Sequence, residues 1–312
     1  MEVLHERSHL LYVRETARLE VLNSEEVDVT RATGPTIARW QLGRQLRGMR
    51  EAAGMTHGDI ASELGCSESK IYKIESGDVG INRGDLLVMI DRYRVMDAGL
   101  RAAVLDLQRQ GKQRGWWARY GQLPNAYAMY VGLEGAATAL RNFELGVVPG
   151  LLQTEAYAHA VISASRLDSP DETARRVGLR IERQRCLTED PALSLWAIID
   201  EGALHRQIGG REVMRGQLQR LTEVMRLPNV TVQVLPFTEG WHPGTLGSFS
   251  ILEFPDEVHS PVVYVETLAG DAHLEREDEV RRVTLVYTHM HAAALSASRS
   301  RELIAARAKD LA

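Results

Sequence analysis

Cysteine is scarce: Cys66 and Cys186 are the only two in 312 residues. One falls in a turn and the other in a charged helical stretch, with no metal-ligand spacing between them. That excludes a disulfide framework and points to a reducing, cytoplasmic setting. No apolar run approaches the roughly eighteen residues of a membrane span, so no membrane partner is expected. The N-terminus shows no apolar core before a cleavage site, and no signal peptide is predicted. Also missing are His-Glu-x-x-His, paired Cys-x-x-Cys, the Gly-x-Ser-x-Gly elbow and a glycine loop for phosphate. No cofactor and no resident metal are therefore expected. A large charge of one sign is absent as well: the net is −5, so the whole molecule is no polycation.

The chain is long enough for two domains with separate cores. Hydrophobic residues make up 44% and charged residues 25%, the proportions of a soluble globular protein. Charge is uneven along it. Residues 36–119 hold 14 basic and 10 acidic groups, whereas 1–35 hold 4 and 7 and the remainder 19 and 25. The one basic segment is where a phosphate backbone would be met.

Inside that segment, 56–77 reads as two short helices joined by a tight turn. Thr56 is placed to cap the first, with Asp59 completing a capping box. Ile60, Ala61 and Leu64 form its apolar stripe, and Gly65 ends it in the left-handed conformation. Cys66 fills a small place in the turn and Ser67 caps the second helix. Ile71 and Ile74 point inward, which leaves Glu68, Ser69, Lys70, Tyr72 and Lys73 outside. A helix anchored by its apolar side, with short polar and basic groups at its N-terminal end, suits a DNA major groove. The competing reading is a helical pair that binds no DNA.

The segment 42–93 resembles the XRE (Cro/cI-type) helix-turn-helix family. The resemblance rests on Leu42-Gly-x-x-Leu46-Arg-x-x-Arg50-Glu-x-x-Gly54-Met-Thr and on Ile74-Glu75-x-Gly77. It implies that Ser67, Glu68, Ser69 and Lys73 face bases, with Lys70 on the same exposed side. It implies a phosphate or minor-groove contact for Arg83, and a buried ion pair between Arg50 and Glu75. His57 stands where that family usually has a phosphate-binding glutamine, a departure from the pattern.

Residues 1–35 read as a mobile arm; a second reading starts translation near Val27 or Val29. Residues 36–110 read as a five-helix DNA-binding bundle. Its first helix carries Leu42, Leu46, Met49 and Ala53, a fourth is capped at Asn82, and a fifth begins near Asp97. A polar, basic stretch at 108–115 serves as linker, and Trp116-Trp117 anchors the junction or, alternatively, forms a ligand platform. Residues 111–312 read as an α+β domain. Helices are expected over 134–145, after Thr154, over 170–187, from Glu201, around 213–225 and from 276 on. Four strands are expected at 193–200, 230–235, 247–254 and 261–266. The fold class is thus mainly α, with helices around a small four-strand sheet in the second half. The arginines of 170–187 read as solvated surface, or alternatively as an effector or partner clamp.

This second half resembles the C-terminal domain of actinobacterial Scr-type, WhiJ-like antitoxin-like transcriptional regulators. The motifs are Val148-Pro-Gly-Leu-Leu-Gln-Thr154, Arg183-Gln184-x-x-Leu187, Asp200-Glu-x-x-Leu204, Val234-Leu-Pro236, Gly247-Ser-Phe249 and Val263-Tyr-x-Glu266. The resemblance implies a regulator with a small partner protein encoded next door, and assigns no site residue. Asp200, Glu201 and Glu266 near strand ends, with Trp241, His242 and His273 in loops, could assemble a carboxylate–histidine site. The plainer reading has Asp200 and Glu201 starting a helix and Glu266 paired with an arginine. His289 and His291 share a helix at a spacing that does not face them together. The expected protein is a non-enzymatic, dimeric, cytoplasmic DNA-binding regulator whose second domain binds a partner or ligand. The rivals are an antitoxin that sequesters its partner and an enzyme targeted by the helical bundle.

Overall fold

The computed structural model describes residues 34–164, 169–255, 260–267 and 270–312. The mobile-arm expectation for 1–33 lies outside them. Helix α1 (Pro35–Ala52) opens with proline in its first turn, where a missing N–H costs nothing. Helices α2 (His57–Leu64) and α3 (Glu68–Glu75) follow. Thr56 and Asp59 form the reciprocal capping box, and Gly65 closes α2 at φ 61°, ψ 39°. Helix α4 (Arg83–Arg92) is capped by Asn82 and α5 (Ala98–Gly111) by Asp97. Leu42, Leu46, Ile60, Ile71, Ile74, Leu86, Met89 and Val104 close one core among the five. Helix α5 runs through Gly111, so 108–111 form its last turn rather than linker. Gln108 is buried there and donates to the Ile81 carbonyl at 2.8 Å.

The second half contains α6 (Asn125–Glu134), β1 (Ala139–Glu144), α7 (Glu155–Ala164), α8 (Pro170–Arg183) and β2 (Ser194–Asp200). It continues with α9 (Glu201–His205), α10 (Arg211–Val224), β3 (Val230–Leu235), β4 (Phe249–Glu253), β5 (Val262–Val265), β6 (Ala272–Leu274), α11 (Glu277–Ala293) and α12 (Ala297–Asp310). The strands form one mixed sheet in the order β3-β2-β1-β4-β5-β6. Strands β1, β2 and β3 are mutually parallel, and β4, β5 and β6 extend the sheet in antiparallel steps.

Six strands replace the expected four, and one correction matters for function. Residues 139–144, expected within a helix, are the central strand β1. Leu133, Ala137, Leu140 and Phe143 imitate helical spacing, but they belong in turn to the end of α6, a turn and a strand. Strand β1 alternates normally: Leu140 joins the larger core and Phe143 the core on the opposite face. Polar Asn142 and Glu144 share the Leu140 face, which hid the period-two signal. Strand β6 is only three residues long, below what a sequence pattern can mark. The helical C-terminus is broken at 294–296 into α11 and α12.

One face of the sheet packs on α6, α7, α10 and α12, and the other on α11 through Tyr287 and Met290. The turn into α12 also guards the sheet edge: Leu295 N–H reaches the Val234 carbonyl at 2.9 Å and Ser300 Oγ accepts from Val234 N–H at 2.9 Å. Those groups would otherwise be open to another strand.

Helix α1 belongs to both cores. Leu42 and Leu46 sit in the helical bundle, while Ile37 and Trp40 sit in the large core of the α+β half. Trp40 Nε1 donates to Glu275 Oε1 at 2.6 Å, and its ring lies 5.8 Å from that of Phe254. At Gly132 a Cβ would come within 2.1 Å of Thr36 Oγ1, so α6 accepts α1 only with glycine there. Trp117 is buried against Val131 and Leu179, and Trp116 is half exposed with Arg119 over its ring.

Candidate functional site

Two constellations stand out, one on each half. On the bundle, Ser67, Glu68, Ser69, Lys70 and Lys73 are all exposed on α3, and Arg83 is exposed at the start of α4. Ile71 and Ile74, at most 2% exposed, hold the opposite side of the helix. Ser67 Oγ accepts from Lys70 N–H at 3.3 Å, so it is committed as the cap. Lys70 Nζ lies 3.4 Å from Asp85. The arrangement presents short polar groups and two lysines on an exposed helix face, together with the carboxylates of Glu68 and Asp85.

Beneath that face, Glu75 is fully buried. Arg50 grips it with two parallel hydrogen bonds, Nε to Oε1 at 2.7 Å and Nη2 to Oε2 at 2.8 Å. The guanidinium is held charged above its ordinary range, chiefly by the Glu75 hydrogen bond. His57 is half-buried and turns inward, with Nε2 3.1 Å from Glu75 Oε2. Helix α1 carrying Arg50, α2 carrying His57 and α3 carrying Glu75 therefore meet at one carboxylate. Close approach is enforced by Gly43, where a Cβ would lie 2.5 Å from the Glu75 carbonyl oxygen.

In the α+β half, the carboxylate–histidine group proposed from sequence does not assemble as one site. Asp200 caps α9 by accepting from Gly202 N–H and meets His242 Nε2 at 3.2 Å. His242 is 8% exposed and packs edge-on to Phe143. Among the described residues its Nδ1 has no partner. Glu201 accepts from Phe237 N–H at 2.8 Å. Trp241 is exposed. His273 stacks near Tyr264, and burial lowers its pKa. His289 and His291 lie on α11, and the His291 ring meets Trp196 edge-on. No cluster of three or more His, Cys, Asp or Glu able to hold a metal occurs among the described residues.

Glu266 instead stands at the rim of a different feature, a cleft of about 520 Å³ past the C-terminal end of β1. Its expected pairing with an arginine is not formed among the described residues. Asn142, Glu144, Arg180, Arg206, Tyr130 and Tyr264 line the same cleft. The arginine run of α8 is accordingly not uniformly solvated. Arg175, Arg176 and Arg185 are exposed, but Arg183 is 6% exposed. It makes two hydrogen bonds to buried Glu134, at 2.7 and 2.6 Å. Sequence reasoning missed Asn142 and Glu144 because their strand imitated a helix. Residues 139–144, Ala-Leu-Arg-Asn-Phe-Glu, do not alternate cleanly between apolar and polar, so no local signal marked them.

Burial pushes the Glu144 carboxyl up to about 7, and nearby Glu266 adds to the rise. Hydrogen bonds from Ser248 and Asn142 and the charge of Arg180 oppose it. Folding therefore takes up a proton at pH values between the ordinary 4.5 and about 7. This group's contribution to stability is complete below the lower value and is lost as pH rises through the upper one. Chemical denaturation at pH 5 and pH 8 should show the unliganded wild type losing up to about 2 kcal/mol more than Glu144→Gln. Parallel profiles for the two proteins would contradict the assignment.

Two family matches cover most of the described chain. Residues 41–104 match the family described as Helix-turn-helix domain, and residues 127–306 match that described as Domain of unknown function (DUF5753). No curated protein and no solved structure matches the chain.

Proposed function

The chain belongs to the DUF5753 family, and from that and its helix-turn-helix domain we propose a sequence-specific DNA-binding transcriptional regulator. The carrying observation is α3: capped by Ser67, anchored by Ile71 and Ile74, and exposing Glu68, Ser69, Lys70 and Lys73 at one side. Ser69 and Lys73 read base edges, Arg83 touches the backbone, and His57 orients Glu75 rather than a phosphate. The Cro/cI-like pattern supports this assignment. The α+β half acts as the sensing half, binding a ligand or a small partner protein, and it carries no catalytic step. A single bundle covers few base pairs, so the active species is a symmetric dimer. Its recognition helices lie about 34–36 Å apart, one turn of duplex.

Selection of binding sites from a randomised duplex pool by the full chain tests the reading. Recovered sites should be inverted repeats with half-sites one turn apart. Ser69→Ala with Lys73→Ala should then weaken binding by roughly 1–3 kcal/mol for each lost base contact, with melting temperature unchanged because both side chains point outward. An unselected pool, or an unchanged affinity in the double variant, overturns it.

A further inference from the structure

The cleft past β1 is built like a binding site rather than like a packing defect. Its volume of about 520 Å³ falls in the range that encloses a small organic molecule. Its floor is polar and largely preformed. Asn142 is 6% exposed, and its Nδ2 donates to Ser250 Oγ at 3.1 Å and to Glu144 Oε1 at 3.3 Å. Its buried Oδ1 accepts no hydrogen bond among the described residues. Buried amide oxygens are rarely left so, because the lost hydration is then uncompensated. Acceptor groups of the cleft include Asn142 Oδ1 and the carboxylates of Glu144 and Glu266.

A second set of groups has the opposite sign. Arg180 donates Nη1 to Gln153 Oε1 at 3.0 Å, while its buried Nε has no partner among the described residues. Arg206 lies on the same rim. Arg183, though it lines the cleft, is already neutralised by Glu134 and is not available to a ligand. The same cleft is lined by an aromatic pair, Tyr130 stacked on Tyr264 with centroids 4.2 Å apart.

We propose that this cleft binds a small zwitterion of the amino-acid class. Its primary ammonium is held by Asn142 Oδ1, Glu144 and Glu266, and its carboxylate faces Arg180 and Arg206. A primary ammonium brings three N–H donors to three acceptor groups, and a carboxylate accepts from guanidinium donors with charge assistance. A simple anion would meet two carboxylates, and a simple amine would leave the arginines unanswered. The raised pKa of Glu144 fits the same account, since a buried carboxylate with a second carboxylate nearby lacks a counter-charge until a cation enters. This ligand class deepens the reading of the α+β half as the sensing half, and rests on it.

The test uses the full chain without DNA, so that it is independent of operator recognition. Melting temperature and calorimetric titration are followed at pH 7.5 against the standard free amino acids. Each amino acid that binds is then compared with the amine lacking its carboxylate and the acid lacking its ammonium. At least one amino acid should bind with saturable heat at millimolar concentration or below, and each truncated analogue at least about 10-fold more weakly, a loss of about 1.4 kcal/mol. Glu144→Gln and Glu266→Gln should each weaken the amino acid by about 10-fold or more. Arg180→Gln should weaken the amino acid while leaving the amine analogue unchanged. Glu266 is exposed, so its variant remains informative if the Glu144 variant is unstable. Absence of binding by any amino acid, equal binding of an analogue, or affinity unchanged in both glutamate variants overturns the proposal. Loss of ligand binding with intact operator binding refutes the ligand alone; the reverse refutes only the DNA-reading role.

Discussion

Glu75→Ala is expected to cost the protein about 3–5 kcal/mol of folding stability. The side chain is fully buried and receives two hydrogen bonds from Arg50 and the approach of His57 Nε2. Removing it leaves the Arg50 guanidinium, 7% exposed, without its counter-charge in a place where water cannot replace it. Arg50→Met alone should be comparably damaging for the mirror reason. The double replacement Arg50→Met with Glu75→Leu should be milder than either single change, because no unpaired charge remains. Urea titration of the three full-length variants measures this. Small and equal losses in all three would mean that solvent screens the pair. The consequence for DNA reading follows from position: Glu75 ends the helix whose exposed side carries Ser69 and Lys73, and Arg50 ties that end to α1.

Trp40→Ala should be the other severe change, at about 3–5 kcal/mol. Trp40 is 1% exposed, and its ring fills space in the large core of the α+β half, although its helix also builds the DNA-reading bundle. The substitution also removes the indole donor from Glu275, whose carboxyl burial already pushes above the usual carboxylate range. Trp40→Phe separates the two contributions. It keeps most of the volume and loses the hydrogen bond, so it should cost only about 1–3 kcal/mol. Scanning calorimetry of the full chain gives the comparison. If Trp40→Ala melts like the wild type, α1 is not the element that joins the halves.

The helix-turn-helix was legible because everything that specifies it is local. The capping box at Thr56 and Asp59, the left-handed Gly65, the Ser67 cap and the stripe of Ile71 and Ile74 act within a few residues of one another. Such signals survive in a sequence without knowledge of the fold, and the order of elements through 34–111 follows from them. In the second half β2, β4 and β5, rich in apolar residues, and β3, which alternates with period two, were equally plain. Strand β1 was not, because burial of Asn142 and Glu144 is compensated by partners far along the chain, Ser248 and Ser250 among them. A polar residue at a core position looks like a break in the pattern until the group that satisfies it is known.

The sequence by itself therefore determined the helix-turn-helix element, its caps and its exposed polar face, and the presence of an α+β second half. Three things were decided only by tertiary structure. The first is the sharing of α1 between two cores, since Trp40 and Ile37 find their neighbours far along the chain in Met129, Leu133 and Phe254. The second is the split of the α8 arginines, where Arg183 is buried only because Glu134 is brought to meet it. The third is the cleft itself. Glu144, Arg180 and Glu266 come from three separate stretches and line one cleft because the parallel and antiparallel parts of the sheet join at β1. Local propensity acts over a turn or two of chain, whereas a charged site depends on which distant groups the packing brings within hydrogen-bond reach.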